Sequence, residues 1–308
     1  MSGKCLKGKF IHTKIKELIK ERNIRSAKYA GFCYGVKRAV DTVKKLKLEN
    51  PDKDIYVLGE LIHNTQVIQE LAELGIKTID ELPEHGDGIC VIRSHGASPE
   101  VFDNIKKAGF EIVDLTCLDV KKVQQQAIEL AKDGYFLVIV GKSEHPEVVA
   151  IKANAELWSE NVVVAGSVDV LKPYEETIKK HKKVGVVVQT TQRVENLLEI
   201  VNYLTPISKE LRVQNTICQS TSMRQKEARE LAQESDLMIV VGSKKSANTT
   251  HLAEILKDYA QTIHIENDTE LKDYKDIIDK SDNISITAGA STPQTVIERV
   301  INELKGGL

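Results

Sequence analysis

Three cysteines are the residues best placed to do chemistry. Cys33, Cys117 and Cys218 recur on a period of about ninety residues, each between a short β-prone stretch and a charged helical one. The pairs are AKYAGFC with VKRAVDTVKKL, EIVDLTC with VKKVQQQAIELAK, and LRVQNTIC with MRQKEARELAQ. A cysteine at a helix N-terminus meets exposed N–H groups and the positive end of the helix dipole, which favour the thiolate. Three thiolates with no obvious fourth ligand suit an iron–sulfur cluster with one open iron, or a three-cysteine zinc site. An open iron acts as a Lewis acid and can also deliver electrons. Cys5 and Cys90 fall outside this phase: Cys90, inside a strand, reads as core, and Cys5 as incidental. An odd number of cysteines at long spacing is not a disulfide framework.

A second set of residues shares the repeat. One loop type gives His63 with Asn64, then His145 with Glu147, then Ser246 with Asn248. Another gives His95, then Gln189 with Thr190 and Thr191, then Ser291. Singly, such residues are usually turn or helix-cap residues. Collected around three thiolates, they form a set of imidazoles, hydroxyls and an amide without Lys or Arg. That set suits a phosphate or diphosphate held by many short hydrogen bonds. Glu147 would face both an anion and a reduced cluster, which oppose its ionisation and favour its use as a proton donor. Lys244 and Lys245, inside GSKKSAN, read as a solvated turn.

Positioning these loops requires parallel sheets. Each copy of the repeat carries a β-branched strand running into a glycine: IYVLGELIHN, FLVIVGKSEHPE and LMIVVGSKKSAN. A helix and a short strand follow, then a fourth strand: ICVIRSHGAS, VGVVVQTTQ or ISITAGAST. An amphipathic helix closes each copy. Alternating strands and helices predict parallel sheets with crossover helices, in which ligands sit beyond the carboxyl ends of the strands. Gly59, Gly141 and Gly242 fall at the same strand exit. The expected fold is α/β: three similar units with parallel sheets around a pseudo-threefold axis, with the cluster at the centre. The expected boundaries are an N-terminal extension over 1–27 and units over 28–116, 117–214 and 215–308.

The composition sets outer bounds. Of 308 residues, 41% are hydrophobic and 29% charged, and the formal net charge is -2. That balance gives no global basic field for nucleic acid or a membrane surface. No apolar run is long enough to span a bilayer, and MSGKCLKGKF has no apolar signal region, so a cytoplasmic protein is expected. Residues 1–27 are basic and read as a solvated helix. There is no GxGxxG fingerprint and no P-loop.

The motifs in order are GFCYGVKRAV, GELIHN, RSHG, DLTC, HPEV, QTT, IC with RQ after it, VVGSKKSAN and TAGAS. With them the chain resembles the 4-hydroxy-3-methylbut-2-enyl diphosphate reductase family of the non-mevalonate isoprenoid pathway, from about Lys28 to the C-terminus. The resemblance implies an oxidoreductase of isoprene biosynthesis. It would reductively dehydroxylate 4-hydroxy-3-methylbut-2-enyl diphosphate to isopentenyl and dimethylallyl diphosphate. It further implies one 4Fe–4S cluster with an open iron on Cys33, Cys117 and Cys218, a diphosphate pocket of His63, His95, His145, Ser246, Asn248 and Ser291, Glu147 as proton donor and Thr190 as its partner near the substrate hydroxyl. A ferredoxin- or flavodoxin-type electron donor is implied in the same way.

The chain departs from the family at several positions. Leu118-Asp119 follows the second cysteine, where the family usually has proline. HPEV continues with Val149 and Ala150 rather than Glu-Gly, Ala247 replaces a serine, and QSTSMRQ follows the third cysteine. Two other readings stay open. One is a divergent relative with the same cluster acting on another small anionic substrate. The other is a non-redox three-cysteine metal-binding or sensor protein.

Overall fold

The computed structural model describes residues 22–306. The chain opens with strand β1 (Asn23–Ser26). The first unit follows as α1 (Tyr34–Glu49), β2 (Ile55–Leu58), α2 (Thr65–Glu73), β3 (Ile76–Ile79), β4 (Ile89–Ile92), α3 (Pro99–Lys107) and β5 (Glu111–Asp114). The second repeats that order with α4 (Leu118–Lys132), β6 (Phe136–Val140), α5 (Pro146–Glu156), β7 (Val162–Ala165), β8 (Lys183–Val188), α6 (Val194–Leu204) and β9 (Glu210–Val213). The third contributes α7 (Gln219–Ala232), β10 (Leu237–Val241), α8 (Ala247–Leu256), β11 (Gln261–Ile265), β12 (Asn283–Ala288) and α9 (Gln294–Gly306).

Each unit builds a four-stranded parallel sheet, in the orders β3-β2-β4-β5, β7-β6-β8-β9 and β11-β10-β12-β1. The third sheet therefore borrows its last strand from the start of the chain, Asn23–Ser26 lying beside Asn283–Ile286. This differs from the expected boundary: the end of the 1–27 segment is a strand of the third sheet. The remainder of that segment, residues 1–21, lies outside the described residues, and with it the expected basic helix. The strands expected to run up to the cysteines end earlier, at Ser26, Asp114 and Val213. They pair only along the edge of a sheet, and the chain then leaves the sheet to reach the next unit. In the first copy Gly31, at φ +95°, turns the chain out of extended conformation before Cys33.

The central strands are apolar because both faces are covered. In β10, Leu237, Ile239 and Val241 pack with Val296, Ile297 and Val300 of α9, while Met238 and Val240 pack with Ala228 of α7 and Leu252 of α8. The other two sheets are covered on both faces in the same way.

The strand order determines where a ligand can sit. From β2 the chain goes outward to β3, then returns to β4 on the other side. The loops leaving β2 and β4 therefore part at the carboxyl edge and open a crevice. The same happens between β6 and β8 and between β10 and β12. Gly59, Gly141 and Gly242 each donate their N–H to the neighbouring strand, at Ile79, Ala165 and Ile265. The shared strand exit read from the sequence is a shared hydrogen bond. Ile286 anchors the third sheet, buried between β10 and β1. Ile286→Ala should cost about 2–5 kcal/mol, read as a lower urea midpoint with an unchanged m-value.

Candidate active site

The three crevices face one another. Between them lies a cavity lined by residues of all three units, among them Cys33, Cys117, Cys218, His63, His95, His145, Glu147, Thr190, Ser246, Asn248 and Ser291. The structure thus gathers every residue singled out as a ligand, pocket or proton-donor candidate.

The cysteines are the N-cap residues of α1, α4 and α7. Their backbone N–H groups make three equivalent bonds. Cys117 donates to Ser94 of the first unit at 2.9 Å, Cys218 to Thr190 of the second at 3.1 Å, and Cys33 to Ala290 of the third at 3.2 Å. Each cysteine is thereby pinned to the fourth-strand loop of the unit before it. The Sγ atoms take up helix N–H groups unequally. Cys33 Sγ accepts from Val36 N at 3.5 Å; Cys218 Sγ accepts from Thr221 N at 3.4 Å and lies 3.1 Å from Thr221 Oγ1. Cys117 Sγ has no such cap bond and lies 3.7 Å from Tyr34 Oη. A Cβ at Gly35 would fall 2.8 Å from Cys117 Sγ and 3.9 Å from Cys33 Sγ. Glycine is costly inside a helix, and here its bare backbone lets two cysteines approach.

Burial pushes the Cys218 thiol up to about 11 and raises that of Cys117, against the lowering expected from helix N-termini. The nearby helix N–H groups do act downward, but desolvation outweighs them. No Lys or Arg lines the cavity among the described residues. Buried Arg224 interacts electrostatically with Cys33 and Cys218, while its guanidinium donates to Gly31 O at 2.7 Å. Three half-buried thiols at helix N-termini without a cation in the cavity fit a metal centre, whose charge would offset the cost of ionising Cys117 and Cys218. Cys90 is fully buried in β4, and burial alone pushes its thiol up to about 11, as for a core residue.

Glu147 is buried behind His145 at the start of α5. Its Oε1 accepts from Thr190 N at 2.6 Å and its Oε2 from Thr190 Oγ1 at 2.7 Å. Desolvation outweighs both bonds and raises the carboxyl to about 7. The three imidazoles stand together, with His63 stacked on His95 at 4.7 Å between centroids and His145 edge-on to both. Burial, followed by the charges of neighbouring groups, lowers His145 to about 3 and drives His95 well below the usual histidine range. Both are neutral donors. His95 Nδ1 is buried without a hydrogen-bond partner among the described residues, which fits a ligand on that side. Ser246 caps α8 without a side-chain cap bond, leaving its hydroxyl available, and Ser291 Oγ donates to His63 O at 3.2 Å.

Some neighbours have structural roles instead. Asn64 caps α2, and Gln189 bonds Lys142 N and Thr191 Oγ1. Lys244 pairs with Glu270 away from the cavity, and Lys245 lies 3.8 Å from Glu60. Sequence reasoning missed Asp119, a second carboxylate in the cavity wall held by Tyr34 Oη at 2.9 Å. It also missed Gly35, Ser94 and Thr221. Position alone could have found Thr221: three residues after an N-cap cysteine is where the cap bond lands.

The fold and site define a three-unit α/β protein with a thiol- and imidazole-lined central cavity. The family model described as LytB protein matches residues 24–305, and the chain belongs to the LytB family. The 4-hydroxy-3-methylbut-2-enyl diphosphate reductase of Geobacter sulfurreducens (strain ATCC 51573 / DSM 12127 / PCA) is 40% identical over 282 residues, covering 91% of this chain and 95% of that protein. A protein of the same name from Clostridium tetani (strain Massachusetts / E88) is 43% identical over 281 residues, 89% of this chain, which spans 42% of that longer protein. The solved structure of an (E)-4-hydroxy-3-methyl-but-2-enyl diphosphate reductase matches with TM-score 0.68 at 37% identity, covering 91% of this chain and 98% of that one. The Plasmodium falciparum E-1-hydroxy-2-methyl-but-2-enyl-4-diphosphate reductase matches with TM-score 0.83 at 27% identity, covering 92% and 87%. No helix among the described residues is long and apolar enough to cross a membrane.

The raised carboxyl has a consequence for stability. The folded chain holds the Glu147 proton between pH 4.5 and about 7, where the unfolded chain has released it. Its contribution is full below that window and is lost as pH rises through it. The stability of the wild type relative to Glu147→Gln should therefore fall across this window in urea titrations. A difference independent of pH would mean that Glu147 ionises like an exposed carboxyl.

Proposed function

We propose that this chain reduces 4-hydroxy-3-methylbut-2-enyl diphosphate to isopentenyl and dimethylallyl diphosphate, using one 4Fe–4S cluster held by Cys33, Cys117 and Cys218. The observation that carries the reading is the shared cavity: three N-cap cysteines open into the same space as a buried, proton-holding Glu147 and three imidazoles. Bound at the cysteines, the cluster supplies electrons and a Lewis-acidic iron. A ferredoxin- or flavodoxin-type protein is the electron donor.

The chain's own residues supply anchoring and protons. His63, His95, His145, Ser246, Asn248 and Ser291 hold the diphosphate with side-chain hydrogen bonds, His95 and His145 as neutral donors. Replacing the allylic hydroxyl with hydrogen consumes two electrons and two protons and releases water. Water leaves more readily than hydroxide, so the hydroxyl needs an acid. When Glu147 is protonated, the 2.7 Å bond in which its Oε2 accepts from Thr190 Oγ1 reverses, the carboxyl donating and the threonine hydroxyl hydrogen turning into the cavity. Thr190 thus relays the proton while its backbone N–H keeps the carboxyl aligned. Among the described residues the wall has no Lys or Arg that would hold Glu147 ionised.

Anaerobic purification with iron and sulfide analysis, followed by a reduction assay on the named substrate, tests the reading. A colourless zinc protein, or a loaded protein inert toward the substrate with a working donor, would sink it. Cys33→Ser, Cys117→Ser and Cys218→Ser should each lose the cluster, and Cys90→Ser should keep it. Gly35→Ala should lower iron content while the far-UV circular dichroism stays native. Glu147→Gln should retain cluster and substrate binding but lose about 10²–10⁴-fold in turnover. Near-normal turnover there would move the proton donor elsewhere.

A further inference from the structure

The three imidazoles differ in what holds them. His145 Nδ1 accepts from the backbone N–H of Glu147 at 3.2 Å, so that nitrogen bears no hydrogen and the neutral ring's N–H is Nε2. Neutral His145 can therefore donate to an anion as it stands. His63 is set the other way. Its Nδ1 lies 3.0 Å from Glu60 Oε2, and an ionised carboxylate only accepts. Nδ1 therefore carries the hydrogen and Nε2 of the neutral ring is a lone pair. A lone pair repels a phosphate oxygen, so His63 can serve an anion only after Nε2 gains a proton.

The surrounding charges permit that gain when an anion arrives. Glu60 is the carboxylate bonded to His63. It faces Arg93 beneath Gly59, and its Oε1 lies 3.8 Å from Lys245 Nζ on the third unit's loop. These two cations lie against the Glu60 carboxylate and, from farther away, oppose a charged His63. His95 and His145, the rings packed against His63, are neutral. The second charge needed to favour an imidazolium is the one a diphosphate brings.

We propose that Glu60 is a positioning residue that makes His63 the proton-accepting member of the pocket, so that seating a diphosphate is coupled to capture of one proton at His63 Nε2. This rests on the reading of the cavity as a diphosphate pocket. A purely structural Glu60, shaping the loop after β2, would hold the ring in place without coupling binding to protons. The two roles separate in Glu60→Gln, whose side-chain oxygen still accepts from Nδ1 but carries no charge. The linkage has a definite sign. Bound His63 has the higher proton affinity, so the coupling strengthens binding at low pH and is lost as pH rises through the bound value.

The test is titration calorimetry of the full chain with a monoalkyl diphosphate at about pH 8, where an ordinary histidine is neutral, in buffers of different ionisation heat. The wild type should take up about one proton per ligand, with affinity falling by up to about tenfold per pH unit above neutrality. Glu60→Gln should bind about tenfold more weakly, take up much less than a proton and show a flatter pH profile. Equal proton uptake in the two proteins, or none in a wild type that binds, overturns the coupling and leaves the diphosphate pocket standing. A wild type that does not bind the alkyl diphosphate overturns the pocket and the coupling together. Should Glu60→Gln fail to fold, ¹⁵N spectra of the wild-type imidazoles decide. An imidazolium at His63 only in the complex supports the proposal; a neutral ring in the complex overturns it.

Discussion

Three backbone hydrogen bonds hold the site together. Cys117 to Ser94, Cys218 to Thr190 and Cys33 to Ala290 each tie the start of one unit to the fourth-strand loop of the unit before it. Each bond does two things at once. It points a sulfur into the common cavity, and it fixes the loop that carries a pocket residue: His95 beside Ser94, Thr190 itself, Ser291 beside Ala290. Side-chain hydrogen bonds of this length would leave rotamer freedom in both partners. A backbone bond fixes the two chain segments directly. The relative placement of thiols, hydroxyls and imidazoles thus follows from the three sheets with little left to side-chain choice.

The chemistry of the cavity follows from how far its ionisable groups are buried. Burial outweighs favourable hydrogen bonds at Cys117, Cys218 and Glu147 alike and raises all three. For the thiols this means that the site is costly to ionise until a positive centre joins it. For Glu147 it means that a carboxyl carries a proton near neutral pH. One desolvated space therefore suits the two opposite needs of the proposed chemistry, a metal centre and an available acid. Asp119 adds to both effects from the wall, since its charge further raises Glu147 and Cys218.

Much of this was legible in the chain because repetition made it so. Cysteines, glycines and polar loop residues in the same phase of each copy mark equivalent strand exits, and equivalent exits converge. The sequence could not show which strand completes which sheet. Asn23–Ser26 is short and only partly apolar, and nothing local distinguishes an edge strand of a distant sheet from a solvated leader. Nor could it show that desolvation beats the helix dipole at the thiols, because that balance depends on how tightly three units close. Gly35 was visible as a letter, but its meaning depends on the position of Cys117, which belongs to another unit. Glu60 looked like part of a loop until His63 was seen leaning on it.

The position of β1 gives the chain a ring-like connectivity. The third sheet is finished by residues synthesised long before its other strands, and Asn23 meets Asn283 across 260 residues of sequence. Arg25 with Glu234, and the N–H groups of Lys28 and Tyr29 on Glu227, fasten the same seam. Loop-closure entropy grows only logarithmically with length, so so wide a closure is thermodynamically mild, but kinetically it must wait for the third sheet to exist. The seam lies just ahead of Cys33, which hangs from Ala290 only once the ring is shut. Of the three cavity cysteines, the one synthesised first therefore hangs from the unit synthesised last, so the proposed metal site is complete only once the third unit has folded.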